Sequence, residues 1–354
     1  MHLTRRGWVV VAVVALAALS AALFGPRALN AVVIPGVVAL AAGYLQLRRF
    51  EPPRVARDTP PDAHVDHEGT VRCFFGDADG RRPGPDTALS RPFAGTVREQ
   101  VDDGLAVEEP TVKTVVGTAP VEYELRYETR GQHTLGPATV TARDLLGLVE
   151  TEATTAGTAD VLVYPRVHAI AGWARRDLRA LHETGVHEER REFDRLREYD
   201  HGDSLRDIHW KSTAKREDLI VKEFAAEADT EAVSLAAGAS GSPGAADRMA
   251  EAVASIALAL VEDGVPVEVH LPGGSVAAGP DRGSQVRLLE RLALVGPGRV
   301  TTEDADVTIY GESDGVSVAV GDESVDFEEF VGSYRPTYGV TRGTGRDGLS
   351  EVAA

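Results

Sequence analysis

Two long apolar segments stand at the start of the chain. Residues 8–24 are apolar except for Ser20, and residues 31–47 form a second run that is almost entirely apolar. Each segment is close to the lower limit of about 17 residues for a helix that crosses a membrane. A Gly-Pro-Arg sequence at positions 25–27 breaks the pattern between them. The pattern therefore predicts a transmembrane helical hairpin within residues 1–50.

Arginine pairs flank the predicted hairpin, Arg5-Arg6 before it and Arg48-Arg49 after it. Since positively charged flanks stay on the cytoplasmic side, we expect both termini and the soluble part of the chain to be cytoplasmic, with residues 8–47 in contact with lipid. A cleaved signal peptide also begins with basic residues and an apolar core. The second apolar run favours the hairpin over that alternative.

Short segments of alternating polarity dominate the region that follows. Residues 51–62 are rich in proline and charge, which predicts a semi-rigid spacer. Within 63–168, apolar and polar positions alternate and Gly or Pro separates the segments, a pattern typical of an antiparallel β-sandwich. Strands are predicted at 71–75, 111–116, 121–127, 138–141 and 161–164.

The turn residues of this region have structural interpretations. Gly131 and the Gly136-Pro137 pair suit positions that need special backbone angles. Arg143 and Asp144 are expected to pair with each other or to cap the short turn that ends at Gly147. A structural role is expected for these residues, and no catalytic chemistry is predicted in the sandwich.

From residue 169 onward helical periodicity joins the strand pattern. A helix is predicted at 170–191, before a motif-rich segment that extends to 228. Strands and helices alternate through 229–325, which indicates an α/β domain with a parallel sheet and right-handed crossovers. The end of the chain, 326–354, predicts a flexible tail. In the α/β region, strands are predicted at 232–237, 265–271, 306–310 and 316–320, and helices at 285–294 and at 245–262, where Met249, Val253, Ile256 and Leu260 face inward.

Composition excludes one class of partner. The 354 residues carry 37 basic and 55 acidic side chains, a net charge of −18, which repels a phosphate backbone and argues against nucleic acid binding. An acidic chain in which arginine almost replaces lysine also suits a high-salt cytosol, so a haloarchaeal source is expected. The single cysteine, Cys73, excludes an intramolecular disulfide.

Acidic and basic residues, a tryptophan and a Gly-Asp turn lie close together at 195–224. This segment reads RLREYDHGDSLRDIHWKSTAKREDLIVKEF. Lysine occurs at four positions of the chain, and Lys211, Lys215 and Lys222 lie in this segment. The pattern predicts a strand at 191–199, a helix at 205–215 that Asp203 or Ser204 caps, and a strand at 219–224.

Two catalytic or metal-binding interpretations of this segment are weak. Asp203, Asp207 and His209 resemble part of a divalent-metal site, but the ligand set is incomplete. Asp203, Ser204 and His209 hold the groups of a hydrolytic triad. Serine and histidine five positions apart on one helix point in different directions, whereas nucleophile and base must touch.

The favoured interpretation is a buried polar hinge or docking face. Arginine and carboxylate groups form such networks readily, and an aromatic side chain supplies an apolar anchor. The residues assigned to this role are Arg197, Asp203, Arg206 and Lys215 as the polar network and Trp210 as the anchor.

The segment resembles the signature of the domain-of-unknown-function 58 family. The matching positions are Arg197, Tyr199, Gly202, Asp203, Arg206, Ile208, Trp210, Thr213, Ala214, Lys215, Leu219, Val221, Lys222 and Glu223. A second block resembles the same family through Arg130-Gly131, Leu135-Gly136-Pro137, Arg143-Asp144, Gly147-Leu148 and Val163-Tyr164-Pro165-Arg166.

The resemblance implies more than the residue pattern does. It implies a membrane-tethered protein with an immunoglobulin-like sandwich and a von Willebrand factor A-like, Rossmann-type domain. It also implies a MoxR-type AAA ATPase as the partner.

A-like domains hold a metal with an Asp-x-Ser-x-Ser loop after their first strand. The corresponding loop here has Ser240 and Ser242, but Gly238 stands at the aspartate position. Since a hard cation loses its principal charged ligand without that carboxylate, no metal and no cofactor are predicted. Ser242-Pro243 also fits a helix N-cap followed by a first-turn proline.

The sequence contains no Gly-x-x-x-x-Gly-Lys-Ser/Thr phosphate loop, and no zinc-ligand cluster or pair of catalytic carboxylates stands out. The predicted function is that of a non-enzymatic, membrane-anchored scaffold or adaptor that works with the ATPase in assembly or maturation of protein complexes. The alternative is a metal-dependent binding protein, or an enzyme that uses Asp203 and His209.

Overall fold

A computed structural model describes residues 1–24, 30–78, 80, 82–189, 195–198, 220–223, 232–300, 305–321 and 323–332. The described chain forms two compact units. The first contains Met1–Val163 and the second lies within Tyr164–Val340.

Two apolar helices begin the first unit, α1 (Arg5–Phe24) and α2 (Asn30–Arg48). Both are long and apolar enough to cross a membrane, and most of their large apolar side chains are exposed, whereas a core helix of a soluble protein buries them. The helices pack closely, because a Cβ atom on Gly36 would lie 2.3 Å from a methyl group of Val14. The predicted pair of apolar helices is confirmed.

Antiparallel strands build the rest of the first unit. One sheet has the order β1-β10-β9-β11-β3, with β5 pairing both β9 and β7, and the other has the order β2-β4-β8-β6. The strands are β1 (His2–Leu3), β2 (Arg54–Asp58), β3 (Ala63–His64), β4 (Glu68–Gly76), β5 (Phe93–Val101), β6 (Leu105–Val107), β7 (Thr111–Val116), β8 (Val121–Tyr127), β9 (Gly131–Arg143), β10 (Val149–Thr154) and β11 (Ala159–Tyr164).

The two sheets share one hydrophobic core. Val71 and Phe75 of β4, Val97 of β5 and Leu135 and Val140 of β9 belong to the same buried cluster. Alternating polarity along the strands gives each sheet one apolar face. Strand β8 shows this most clearly, because its side chains alternate strictly between buried and exposed positions. All five predicted strands of this region lie within or coincide with observed strands.

Two predictions for the first unit are wrong in detail. Residues 54–58 of the supposed spacer 51–62 form β2, which pairs with β4 along its whole length. Gly136-Pro137 is not a turn between strands, because β9 runs through it. Gly136 has the positive φ that the prediction required, and it lies where the partner of β9 changes from β11 to β10.

The second unit holds a mixed sheet with the order β16-β15-β14-β17-β18-β19. Strand β14 is parallel to β15 and to β17, and every other pair in this sheet is antiparallel. The predicted parallel sheet is therefore wrong outside the three central strands. The elements are α3 (Gly172–Glu189), β14 (Val233–Ala239), α4 (Ala245–Glu262), β15 (Val267–Leu271), β16 (Gly274–Ala278), α5 (Arg282–Leu294), β17 (Val307–Gly311), β18 (Val316–Val320), β19 (Glu323–Asp326) and α6 (Phe327–Phe330).

Helix α4 is the buried centre of this unit. Its bounds agree with the prediction, and the four side chains expected to face inward, Met249, Val253, Ile256 and Leu260, are all buried. The predicted flexible tail begins too early. Phe327 and Phe330 of α6 are buried, and Val331 bridges to Ile170, so residues 326–332 belong to the folded unit.

Candidate functional site

The two ends of the signature segment meet as an antiparallel hairpin. Strand β12 (Arg195–Glu198) pairs with β13 (Ile220–Glu223), with Leu196 opposite Lys222 and Arg197 opposite Val221. The strand pairing brings together two predicted strands that are separated by more than twenty residues. The two ends of the signature segment therefore lie side by side.

The other predicted signature residues lie outside the described residues. The metal, hydrolytic and polar-hinge interpretations of this segment stay predictions. The residues concerned are Tyr199, Gly202, Asp203, Ser204, Arg206, Asp207, Ile208, His209, Trp210, Lys211 and Lys215.

The loop of Ser240 and Ser242 lies at the carboxyl edge of the parallel strands. Strand β14 ends at Ala239, and the next amide, of Ser240, donates a hydrogen bond of 2.8 Å to the carbonyl of Gly311 at the end of β17. The Ser240 and Ser242 hydroxyls are 3.0 Å apart and bond to each other. Ligands of open α/β sheets commonly bind at such an edge, so the loop occupies the expected place for a site.

Backbone fills the position where a metal-binding carboxylate would stand. A Cβ atom on Gly238 would lie 2.8 Å from the carbonyl oxygen of Gly298, and Gly298 exchanges two backbone hydrogen bonds with Ala239. Among the described residues no group of three His, Cys, Asp or Glu side chains is placed to hold a metal ion. The loop thus offers a hard cation two hydroxyls and no carboxylate, a donor set that does not fit.

The expected helix cap in this loop is wrong. The N-cap of α4 is Gly244, in the left-handed region with φ of 74°, and it makes no side-chain cap bond. Ser242 instead accepts a hydrogen bond from the Ala245 amide through its backbone carbonyl. The serine hydroxyls are therefore engaged with each other.

A groove of about 450 Å³ lies between the end of β17 and the antiparallel edge of the sheet. Carboxylates of Glu312, Asp314 and Asp326 and the hydroxyls of Ser317 and Ser324 line much of it. Pockets for small molecules and cofactors are mostly apolar with a few polar groups. This groove is instead mostly polar and acidic, unlike such pockets.

A polar joint ties the segment after β11 to α4. Arg166, from the Val-Tyr-Pro-Arg motif, lies 3.6 Å from the Glu251 carboxylate, and the His168 ring lies 3.5 Å from the same side chain. The buried Ser255 hydroxyl accepts a hydrogen bond of 2.9 Å from the His168 amide. The motif arginine therefore has a structural partner that the sequence did not predict.

Helix α3 is bound to the C-terminal end of α4 by a closer contact than the one between Arg166 and Glu251. The Arg175 guanidinium donates to both oxygens of Asp263, at 2.6 and 2.9 Å, and to Glu262 at 3.2 Å. These bonds raise the pKa of Arg175 above its usual range, the Asp263 hydrogen bond contributing most. Forked arginine–carboxylate pairs fix orientation as well as distance.

A second joint connects the apolar helices to the sandwich. Strand β1 pairs with β10 and runs directly into α1. The Thr4 hydroxyl donates to the Gly147 carbonyl at 2.6 Å, and the Thr4 amide donates to the Leu148 carbonyl at 3.0 Å. Glycines allow the close approach, because a Cβ atom on Gly7 would lie 2.1 Å from the Leu148 carbonyl oxygen.

Asp144 organises the sandwich side of this joint. Its buried carboxylate accepts hydrogen bonds from the amides of Leu146 at 3.0 Å and of Leu148 and Val149 at 2.7 Å each. Arg143 pairs with Glu150 at 2.9 Å. Of the two expected roles, the capping role of Asp144 is confirmed and its pairing with Arg143 is not.

A buried ion pair crosses the core of the sandwich. Arg57 donates from Nε to Glu99 at 2.9 Å, and the two side chains are 1% and 2% exposed. The Cys73 thiol donates to the other Glu99 oxygen at 3.8 Å. Burial, with a smaller contribution from Glu99, raises the pKa of Cys73 to about 12, so this cysteine is an inert core residue.

The comparison with family models bears on about one third of the chain. The model of the family described as "Protein of unknown function DUF58" matches residues 195–304, which include the signature segment and extend through α5. This match supports the resemblance drawn from the motif residues. No curated protein matches the chain.

Similar solved structures are distant. The chain is 13% identical to Escherichia coli alpha-2-macroglobulin over 34% of its own length and 7% of that chain, with a TM-score of 0.24. It is 12% identical to a cohesin module from a family 33 glycoside hydrolase of Clostridium perfringens ATCC13124, over 32% of this chain and 98% of that one, with a TM-score of 0.21. It is 15% identical to domains 4 and 5 of the S-layer protein SbsC, over 31% of this chain and 53% of that one, with a TM-score of 0.18.

Proposed function

We propose that the chain is a non-enzymatic, membrane-anchored scaffold whose folded units are held at the membrane to dock a partner protein. The observation that carries this proposal is the joint between the apolar helices and the sandwich. Because β1 is a strand of the sheet and continues into α1, the helices are built into the fold and are not merely attached to it. Such a joint suits a protein that presents a surface at a defined distance from a bilayer.

The same joint favours a retained hairpin over a cleaved signal peptide. Cleavage after α1 would remove β1 from the edge of the sheet and leave the Leu148 carbonyl without its Thr4 donor. Unpaired strand edges and unsatisfied buried carbonyl groups are both costly. We therefore propose two spans, and the arginine pairs Arg5-Arg6 and Arg48-Arg49 support placing both termini and the soluble units in the cytoplasm.

The finer fold assignments are part of the proposal. The two-sheet body agrees with an immunoglobulin-like sandwich, and three parallel central strands with α4 between β14 and β15 agree with a von Willebrand factor A-like domain. The resemblance to the domain-of-unknown-function 58 family supports both. It also supports a MoxR-type AAA ATPase as the partner in assembling or maturing protein complexes.

The partner proposal is tested by co-purification of the full-length protein with the cognate ATPase. We expect Trp210→Ala and Asp203→Ala, and neutralisation of Lys211, Lys215 or Lys222, to weaken binding while the melting temperature is kept. Lys113→Ala is the matched control, because Lys113 is the one lysine outside the signature. Equal binding by all variants, or no binding by the wild type, contradicts the proposal.

The orientation is tested with a protease-sensitive reporter fused to the C-terminus. In spheroplasts, a cytoplasmic reporter stays protected until the membrane is broken. Cleavage in intact spheroplasts would place the soluble units outside and overturn the assignment of the cytoplasm.

A further inference from the structure

The loop between β9 and β10 lies beside the apolar helices and not beyond their ends. On one side it contacts the start of α1, through Thr4 and Gly7. On the other side a Cβ atom on Gly43 of α2 would lie 3.1 Å from the Asp144 carboxylate. Gly43 is five residues before Arg48, so at 1.5 Å per residue the loop reaches about 7.5 Å along α2 from its outer end.

This loop presents two leucines that the fold does not cover. Leu145 is 90% exposed and Leu146 is 57% exposed, although the neighbouring Leu148 is buried in the core between the sheet and the helices. Adjacent leucines at such exposure are costly in water. They form a short apolar tip on a loop whose neighbouring residues contact both helices of the hairpin.

The backbone of the loop is prepared for a surrounding with little water. The Asp144 carboxylate accepts hydrogen bonds from three loop amides, and its backbone carbonyl accepts a fourth from the Gly147 amide at 2.9 Å. A loop that enters the apolar part of a bilayer must satisfy its amides from within. Asp144 does this for residues 146–149, through its carboxylate for Leu146, Leu148 and Val149 and through its backbone carbonyl for Gly147.

Aromatic residues mark the same level of the hairpin. Trp8 follows Gly7 and is 62% exposed, and Tyr44 follows Gly43 and is 53% exposed. Tryptophan and tyrosine concentrate where the apolar core of a membrane meets the headgroups. The arginine pairs Arg5-Arg6 and Arg48-Arg49 lie toward the outer side of this level.

From these contacts we infer that Leu145 and Leu146 insert into the membrane interface and form a third lipid contact beside the two helices. The inference rests on the proposed membrane anchoring and deepens it. It gives the Arg-Asp-Leu-Leu-Gly-Leu block a role, namely to press one corner of the sandwich onto the bilayer. The partner of this surface is lipid.

Spin labels test the inference in the full-length protein, reconstituted in phosphatidylcholine–phosphatidylglycerol vesicles. Leu145→Cys and Leu146→Cys carry the label, and buried Cys73 is left in place with labelled wild type as background. Oxygen, which concentrates in lipid, and a water-soluble nickel complex compete to relax each label. We expect the ratio of oxygen to nickel accessibility at both leucines to be several-fold above that of a label at Val115→Cys, an exposed position on β7 of the same unit.

A label at Leu16→Cys, near the middle of α1, separates this inference from the proposed function. If Leu16 reports lipid and Leu145 reports water, the hairpin spans the membrane and the inference alone is overturned. If Leu16 reports water, the anchoring and the inference both fail. Low accessibility of Leu145 to both reagents would place protein against the loop and would also overturn the inference.

Discussion

At Gly238 the missing side chain decides what the first loop of the mixed sheet can bind. The carbonyl oxygen of Gly298 lies 2.8 Å from where the first carbon of a side chain would stand, so the backbone leaves too little room for a metal-binding aspartate. The sequence identified the missing carboxylate. It did not predict the obstruction, because residues 238 and 298 are brought together only by folding.

Restoring the carboxylate should therefore not restore a metal site. We expect Gly238→Asp to lower the melting temperature, at a cost of about 1–3 kcal/mol typical of overpacking, and to bind no magnesium or manganese by calorimetry. Gly241→Asp is the matched control, since nothing lies within 4 Å of a Cβ atom there. Metal binding at millimolar concentration by Gly238→Asp, with a raised melting temperature, would contradict this interpretation.

The buried Arg57–Glu99 pair allows a sharper test of energetics. Removing one partner leaves a buried charge alone, so Glu99→Gln is expected to cost about 3–5 kcal/mol of unfolding free energy. Replacing both with apolar residues, Arg57→Met with Glu99→Leu, should recover most of that loss. The exposed pair Arg72–Glu122, in which both side chains are 52% exposed, is the control, and Glu122→Gln should cost less than about 1 kcal/mol. Similar losses at the two sites, measured by urea unfolding, would refute the argument.

At the scale of elements, the sequence predicted the helices and strands whose apolar positions recur at regular intervals without interruption. Helix α4 and strands β7, β8 and β18 have the predicted bounds, because their buried faces carry apolar side chains only or almost only. Strand β5 escaped prediction since one of its inward positions is Glu99, a charge that breaks the alternation. Strand β2 was hidden by the prolines that flank it at 52, 53, 60 and 61, which made the whole segment resemble a spacer.

The contact between α2 and the β9–β10 loop is an element-scale feature that can be broken with one methyl-bearing side chain. We expect Gly43→Val to push Asp144 away and to lower the melting temperature of the vesicle-bound protein by several degrees, while the helical circular dichroism is retained. Ala42→Val, at the exposed neighbouring position, should have little effect. Equal melting temperatures for the two variants would mean that the helix and the loop do not support each other.

At the scale of the whole molecule, charge is the property that the sequence settles best. A net charge of −18 makes the folded chain repel itself, and salt weakens that repulsion. Candidate sites were less accessible to sequence reasoning, because each joint unites residues far apart in the chain, such as Arg175 with Asp263. The motifs marked the segments that take part in such joints, but they did not predict which residue each side chain would contact.

Salt should therefore stabilise this protein strongly. We expect the melting temperature to rise by several degrees as KCl increases from 0.1 to 2 M, because the screening length falls from about 10 Å to below 3 Å. Sucrose at equal osmolality controls for effects of excluded solutes. A melting temperature that is already maximal in dilute buffer would count against the haloarchaeal origin proposed for the chain.

The pairing of β1 with β10 also constrains the order in which the molecule is made. His2 and Glu150, which this pairing joins, are 148 positions apart, so the edge of the sheet stays open until the ribosome has synthesised the whole of β10. On the proposed anchoring, both helices enter the bilayer before that moment. Insertion would then hold β1 at the membrane surface before β10 exists. The sandwich would complete its folding when β10 pairs with this strand, whose position the inserted helices already fix.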